Sequence, residues 1–339
     1  MADIEDDWEN FLYDESDDTN NIESIPARSN NIIPDDFVPH CSDIKISTKT
    51  KIVYLDSRLD LCDLFWKINV VDYDTHECGV VKKQIKFNFT EKSQVKDFED
   101  KIKNERFVNI TILNQIDNPT GRVQFKDVRK VNIGYSKNDI VKNKKTSKSA
   151  FYNCLVLIYR TKMDNVFKEI HIKIFNSGKL EIPGVQNDTM LNHSIEIIKI
   201  LLSEITKTNI NEITNKRETV LVNSNFACNY FVNRNSMFDI LKNKYNIKCN
   251  YDSCSYPGIQ CKYKKENNEI SFMIFRTGSV LIVGKCEDDL LFEIYEFLKN
   301  IFTKEYKTIY EENDEVLQKK TKNRSKIKKS YTITKVIKA

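Results

Sequence analysis

Two stretches of this chain repeat one another at a constant spacing of one hundred residues. Ile174-Phe175-Asn176-Ser177-Gly178-Lys179-Leu180-Glu181-Ile182-Pro183-Gly184 is echoed by Ile274-Phe275-Arg276-Thr277-Gly278-Ser279-Val280-Leu281-Ile282-Val283-Gly284. The offset continues through Asp188 and Asp288, Leu191 and Leu291, Glu196 and Glu296, and Lys199 and Lys299. Repeat arrays need three or more units to bury a continuous core, so two copies argue against a solenoid or a propeller. A duplicated domain with pseudo-twofold symmetry remains.

Each copy reads as strand, helix, strands, helix. Thr48 to Tyr54 and Thr219 to Ala227 carry the β-branched alternation of strands. Ser57 with Asp60, and Ser236 with Asp239, have the Ser-x-x-acid spacing of a helix start. A strand pair follows in each copy: Tyr152 to Tyr159 with Glu169 to Phe175, and Tyr256 to Tyr263 with Ile270 to Phe275. Gly178 and Gly278 then fall where a turn needs φ > 0. A short strand and an amphipathic helix, about 188–202 and 288–302, close each copy.

The helix starts lie 179 residues apart and the late strands only 100, so the first copy carries roughly 80 extra residues, about Gly79 to Ser149. This insert has strand-like stretches at Phe107 to Leu113 and Val123 to Gly134, a turn at Asn118-Pro119-Thr120-Gly121 and a basic loop at Lys142 to Lys148. It reads as an added lobe rather than a linker. The expected organisation is an acidic arm at 1–43, a first repeat over 44–205 with its insert at about 79–149, a second repeat over 206–303, and a basic tail over 304–339.

Charge enters at the two ends. The first 24 residues hold ten carboxylates and no Lys or Arg, while the last 22 hold nine Lys or Arg and no acid, on a chain of net charge +4. Opposite-sign tails on a nearly neutral body point to an interaction protein. No apolar run approaches the roughly 18 residues needed to cross a bilayer. Nine scattered cysteines suit a reducing, intracellular setting better than a disulfide framework. Cys249, Cys254 and Cys261 lack the paired spacing of a zinc site, His40, His76, His171 and His193 form no catalytic motif, and eight glycines supply no phosphate cradle. No enzyme activity, cofactor, metal or small-molecule substrate is expected.

Alternation assigns the strand faces. In the second copy Phe272, Ile274, Val280 and Ile282 turn toward the helices, while Met273, Phe275, Thr277, Leu281 and Val283 turn away. That second face is apolar where water-facing sheets are normally polar, and an uncovered apolar face implies a partner. In the first copy the equivalent face carries His171, Lys173, Phe175, Ser177, Lys179 and Glu181, which is mostly polar.

At these residues the chain resembles the TATA-box-binding protein family, in particular divergent members of the kind encoded by large nucleocytoplasmic DNA viruses. Ile174-Phe175-Asn-Ser-Gly-Lys179 is similar to the family's turn signature, and Ile274-Phe275-Arg-Thr-Gly-Ser279 follows it with Ser279 in place of Lys. Tyr256-Pro257-Gly258-Ile259 resembles the family's Phe-Pro-Gly-Leu, with Tyr152 as its counterpart in the first copy, and Leu59-Asp60-Leu61 matches a motif at the first helix. The likeness covers about 45–78, 150–205 and 218–303.

The resemblance implies an α+β saddle of two pseudo-symmetric repeats, a curved antiparallel sheet below and helices above. Its underside would lie in the minor groove of A/T-rich promoter DNA, kink it and nucleate assembly with a B-type initiation factor and RNA polymerase. Tyr152 with Phe175 and Tyr256 with Phe275 would be wedges, and Met273, Leu281 and Val283 the apolar floor. Ser177 and Thr277 in the turns would also contact DNA, Lys179 and Lys262 would sit near phosphates, and Asn223 would contact base acceptors, with Thr48 at the matching place in the first repeat. The resemblance also implies work in a nucleus, or in a cytoplasmic replication site or virion if viral. The alternative is a protein-interaction saddle of little DNA affinity, scaffolding transcription or virion components. The acidic arm interleaves carboxylates with Trp8, Phe11, Leu12 and Tyr13, a pattern able to lie on the underside and compete with DNA.

Overall fold

A computed structural model describes residues 39–141, 153–266 and 268–311. The described residues divide into two compact units, one of residues 39–49 together with 219–311, the other of residues 50–218. The boundary falls inside strand β1 (Lys45–Tyr54).

The 50–218 unit holds the second half of β1, helix α1 (Leu61–Lys67), β2 (Gly79–Phe89), α2 (Lys92–Ile102), β3 (Val108–Asp117), β4 (Phe125–Gly134) and the short α3 (Lys137–Val141). It continues with β5 (Cys154–Met163), β6 (Val166–Phe175), β7 (Lys179–Val185) and α4 (Asp188–Thr206). The strand order is β3-β4-β2-β5-β6-β7-β1, and the registered pairs are antiparallel. β5 and β6 meet at Asp164 and Asn165, both at positive φ, the conformation a two-residue hairpin turn demands. Ile170, Ile172, Ile174, Leu180 and Ile182 pack against Leu191, Ile195, Ile198 and Leu202 of α4, all fully buried.

The other unit holds the first half of β1, then β8 (Glu218–Ala227) from Thr219 on and α5 (Arg234–Asp239), which runs into a π-helical turn at Ile240–Lys244. β9 (Lys248–Asn250), β10 (Ile259–Lys265), β11 (Asn268–Ile274), β12 (Ser279–Gly284), α6 (Asp288–Lys304) and α7 (Tyr306–Ile309) follow. The order is β1-β8-β12-β11-β10-β9, again antiparallel where registered. Phe272, Ile274, Val280 and Ile282 are buried with Leu291, Ile294, Leu298 and Phe302 of α6, the face that alternation assigns to the helices.

The duplicated turns are superposable in their hydrogen bonds. Gly178 N–H donates to Phe175 O at 3.0 Å and Gly278 N–H to Phe275 O at 3.0 Å. Leu55 N–H donates to Gly178 O at 2.9 Å, Cys228 N–H to Gly278 O at 3.0 Å. Both glycines have φ near +80°, at +83° and +81°. A Cβ would meet Ser57 O at 2.5 Å in the first turn and Tyr230 O at 2.3 Å in the second, so only glycine fits either.

Three expectations change. The helix caps are Asp60, whose carboxylate accepts from Cys62 N and Asp63 N, and Asn233, which accepts from Ser236 N at 3.1 Å. Ser57 instead donates to Asp56 Oδ1, and Ser236 is already inside its helix. The insert does not stand apart as a lobe, because β2 pairs β5 and β4 pairs β2, extending the same sheet. β2 occupies beside β5 the place that β9 occupies beside β10, so the added material begins after Phe89 rather than at Gly79. The turn at Asn118 to Gly121 forms as read, with Gly121 N–H donating to Asn118 O at 3.0 Å. The arm up to residue 38, the basic loop at 142–148, Tyr152 and the tail from 312 lie outside the described residues.

Candidate nucleic-acid interface

The helix-free face of the second repeat is built by register. Val283 opposes Asn223 and Leu281 opposes Asn225 across β12 and β8. Met273 opposes Leu281 across β11 and β12, and Gln260 opposes Met273 across β10 and β11. Leu221, Met273, Leu281 and Val283 form a cluster separate from the main core, with Tyr256 and Phe275 packed against it. No helix residue belongs to this cluster.

The floor is shielded rather than open: Met273 is 7% exposed, Leu281 5% and Val283 2%. Part of the shielding comes from the two aromatic side chains, which lean on the floor while half-buried. Their ring centroids lie 6.1 Å apart at an interplanar angle of 56°. The Tyr256 hydroxyl, which burial pushes up in pKa, rests 3.3 Å from the Met273 sulfur. Gly258 permits the approach, since a Cβ there would sit 3.0 Å from the Phe275 ring and 3.2 Å from that of Tyr256. By register Cys154 holds the equivalent position in the first repeat, opposite Phe175. Leu221 was not among the candidates; the alternation that places Asn223 on this face places Leu221 there too.

Polar groups surround the floor. Asn223 is 7% exposed and its Nδ2 donates to Thr48 Oγ1 at 3.0 Å; the residues expected to hold matching places in the two repeats are hydrogen-bonded to each other. Beside them Asn225 Nδ2 donates to Ser47 Oγ at 3.1 Å. Thr277 is exposed in its turn and donates to Ser279 Oγ at 3.3 Å. Lys262 is ion-paired to Glu269, so a phosphate would compete with that carboxylate.

In the first repeat the face is bound up in charge. Lys173 and Glu181 are cross-strand partners on β6 and β7, joined at 2.8 Å with both side chains 17% exposed. Each supplies the counter-charge that makes the other's partial burial affordable. Phe175 is half-buried with the Lys179 ammonium 5.1 Å from its ring centroid, and Ser177 is exposed. Among the described residues no group of His, Cys, Asp and Glu is placed to hold a metal ion, and no helix is long and apolar enough to cross a membrane.

The arrangement defines an α+β protein of two antiparallel repeats with helices on one face of each sheet, a residual apolar face on one repeat and an ion-paired face on the other. No protein-family model matches the chain. It is similar to a protein of Acanthamoeba polyphaga mimivirus described as "TATA-box-binding protein-like", with 27% identity over 189 residues, 49% of this chain and 52% of that protein. The match thus spans about half the length of that relative. Among solved structures, Methanococcus jannaschii TBP matches over 77% of this chain and 98% of its own, at 14% identity and a TM-score of 0.39.

Proposed function

We propose that this protein is a TATA-box-binding-protein-like transcription initiation factor, a binding protein rather than a catalyst, that enters the minor groove of A/T-rich promoter DNA and bends it. The observation that carries this reading is the second-repeat cluster: an apolar strand face with no helix residue in it, flanked by the Tyr256–Phe275 pair and by the amides of Asn223 and Asn225. In this reading the two aromatics leave the floor and wedge between base steps, at a cost of a few kcal/mol per unstacked step. Leu281, Val283 and Met273 then meet the sugar edges of the groove, and apolar burial offsets the kink. Asn223 offers an amide donor to the acceptors that A/T pairs present there. Lys179 and Lys262 exchange an aromatic ring and a carboxylate for phosphates. Ile200 and Phe292, exposed apolar residues on the long helices, offer contacts for a B-type initiation factor or RNA polymerase.

One observation favours a second reading, a protein-interaction saddle with little DNA affinity. The first-repeat face spends its charges on an internal ion pair, and a carboxylate on that face would be repelled by DNA unless Lys173 stays with it. A mobility-shift assay on an A/T-rich duplex separates the two. The full chain should bind and bend the duplex, with Phe275→Ala and Leu281→Glu losing both. Affinity no greater than that of a peptide spanning the basic tail would favour the scaffold.

A further inference from the structure

The strand register that shapes the second repeat also aligns two cysteines that the function above does not use. Cys249 on the three-residue strand β9 is the direct antiparallel partner of Cys261 on β10. Opposed residues on antiparallel strands point to the same face with Cα atoms about 4.5–5.5 Å apart. That lies inside the roughly 4.4–6.8 Å that a disulfide spans. The thiols already interact: a hydrogen bond from Cys261 draws the Cys249 thiol below its ordinary value, burial opposes this, and Lys242 adds to it. Burial pushes the Cys261 thiol up. Cys261 is buried and Cys249 half-buried, so a dissolved oxidant meets Cys249 first. Between them the chain loops out through exposed Cys254 to Tyr256, Pro257 and Gly258.

We infer that Cys249 and Cys261 form a reversible cross-strand disulfide with a small disulfide oxidant such as oxidised glutathione, clamping the loop that carries Tyr256. The Cys249 thiolate attacks one sulfur of the oxidant, breaking its S–S bond and releasing one glutathione thiolate that takes up the proton Cys249 lost. The Cys261 sulfur, deprotonating as it attacks, then displaces the second glutathione from Cys249. Two protein thiols are oxidised and one glutathione disulfide is reduced to two thiols. The bond closes a covalent ring around the Tyr251 to Gly258 stretch and ties the short edge strand to its neighbour. The inference stands on strand register and does not depend on DNA binding.

The test uses the full chain. After incubation with oxidised glutathione, acid quenching, alkylation in denaturant and proteolysis, mass mapping should find the Cys249 and Cys261 peptides joined and lighter by two hydrogens. Dithiothreitol should restore both thiols. Amide exchange across 251–258 should slow several-fold in the oxidised protein while the helices stay unchanged. In Cys261→Ser, which cannot complete the second step, glutathione should remain on Cys249. Recovery of both cysteines alkylated, retention of glutathione on wild-type Cys249, or linkage of either to Cys254 would overturn the inference.

Discussion

The two repeats have the same turn, the same kind of core face and the same long helix, and part company on the strand face turned away from the helices. On the core side they are near copies: Ile170, Ile172 and Ile174 do in the first what Ile270, Phe272 and Ile274 do in the second. On the other side the second repeat gathers Leu221, Met273, Leu281 and Val283, while the first places Lys173 against Glu181. The difference shows how a duplicated fold diverges without unfolding. The helix-covered face carries most of the hydrophobic stabilisation and tolerates little change. The opposite face accepts either apolar closure or a matched ion pair, provided that no charge is left alone.

The sharpest way to break the comparison is to exchange charge between the faces. Leu281→Glu buries a carboxylate in the apolar cluster and should cost about 3–5 kcal/mol by urea unfolding. Glu181→Leu removes one partner of the partly buried Lys173 and should cost about 1–2 kcal/mol. Equal losses would mean that the two faces do not differ as described.

Next is the inequality of the aromatic residues on DNA. Phe275→Ala should lower affinity for an A/T-rich duplex by roughly 100-fold, the loss of about 3 kcal/mol of aromatic burial. Phe175→Ala should lower it by roughly tenfold or less, since that ring sits among charges. Titration by mobility shift or fluorescence anisotropy decides between this ordering and its reverse.

The turns should instead behave alike. Gly178→Ala and Gly278→Ala each force a Cβ against a carbonyl oxygen at positive φ, and each should cost about 1–3 kcal/mol. A thermal-melt difference between the two variants as large as either loss would deny the turns their equivalence.

The smallest effect is a dependence on pH confined to the first repeat. Burial raises the Asp139 carboxyl, but hydrogen bonds from Lys82 and Ser136 outweigh it and hold the group below the usual carboxylate range. A depressed folded value means stability that is present above the unfolded value, about 3.9, and lost as pH falls through the folded one. Asp139→Asn should therefore be less stable than the parent at neutral pH, and chemical denaturation should show the gap closing below about pH 4. A gap that persists in acid would assign the effect to packing.

Much of this was legible in the residues, for a physical reason in each case. Alternation of period two located the buried strand faces, and the paired glycines located the turns. β2 escaped because a lysine interrupts its apolar side: Lys83 is 1% exposed among Val81, Ile85, Phe87 and Phe89. Its ammonium is satisfied by Ile68 O at 2.8 Å, by Glu105 at 3.7 Å and by the Phe65 ring at 4.9 Å, partners far away in sequence. The caps were misplaced because Ser57 and Asp60, or Ser236 and Asp239, have the right spacing whichever residue turns out extended; tertiary bonds chose. Leu59 N–H is held by Asn176 O, so Asp60 becomes the cap and the helix starts at Leu61. The closure of the second-repeat floor was beyond pattern reading, since periodicity gives the side of a sheet and not what leans over it.

The correspondence between β2 and β9 has a practical side. One repeat already accommodates two helices and two strands between β2 and the hairpin that follows, without disturbing the turn or the long helix. The same junction in the other repeat, the exposed Asp252-Ser253-Cys254 stretch, is thus a natural port for grafted sequence. A reporter domain spliced there would ride on β9, the last strand in the sheet order, close to the Tyr256–Phe275 pair and so able to report on it.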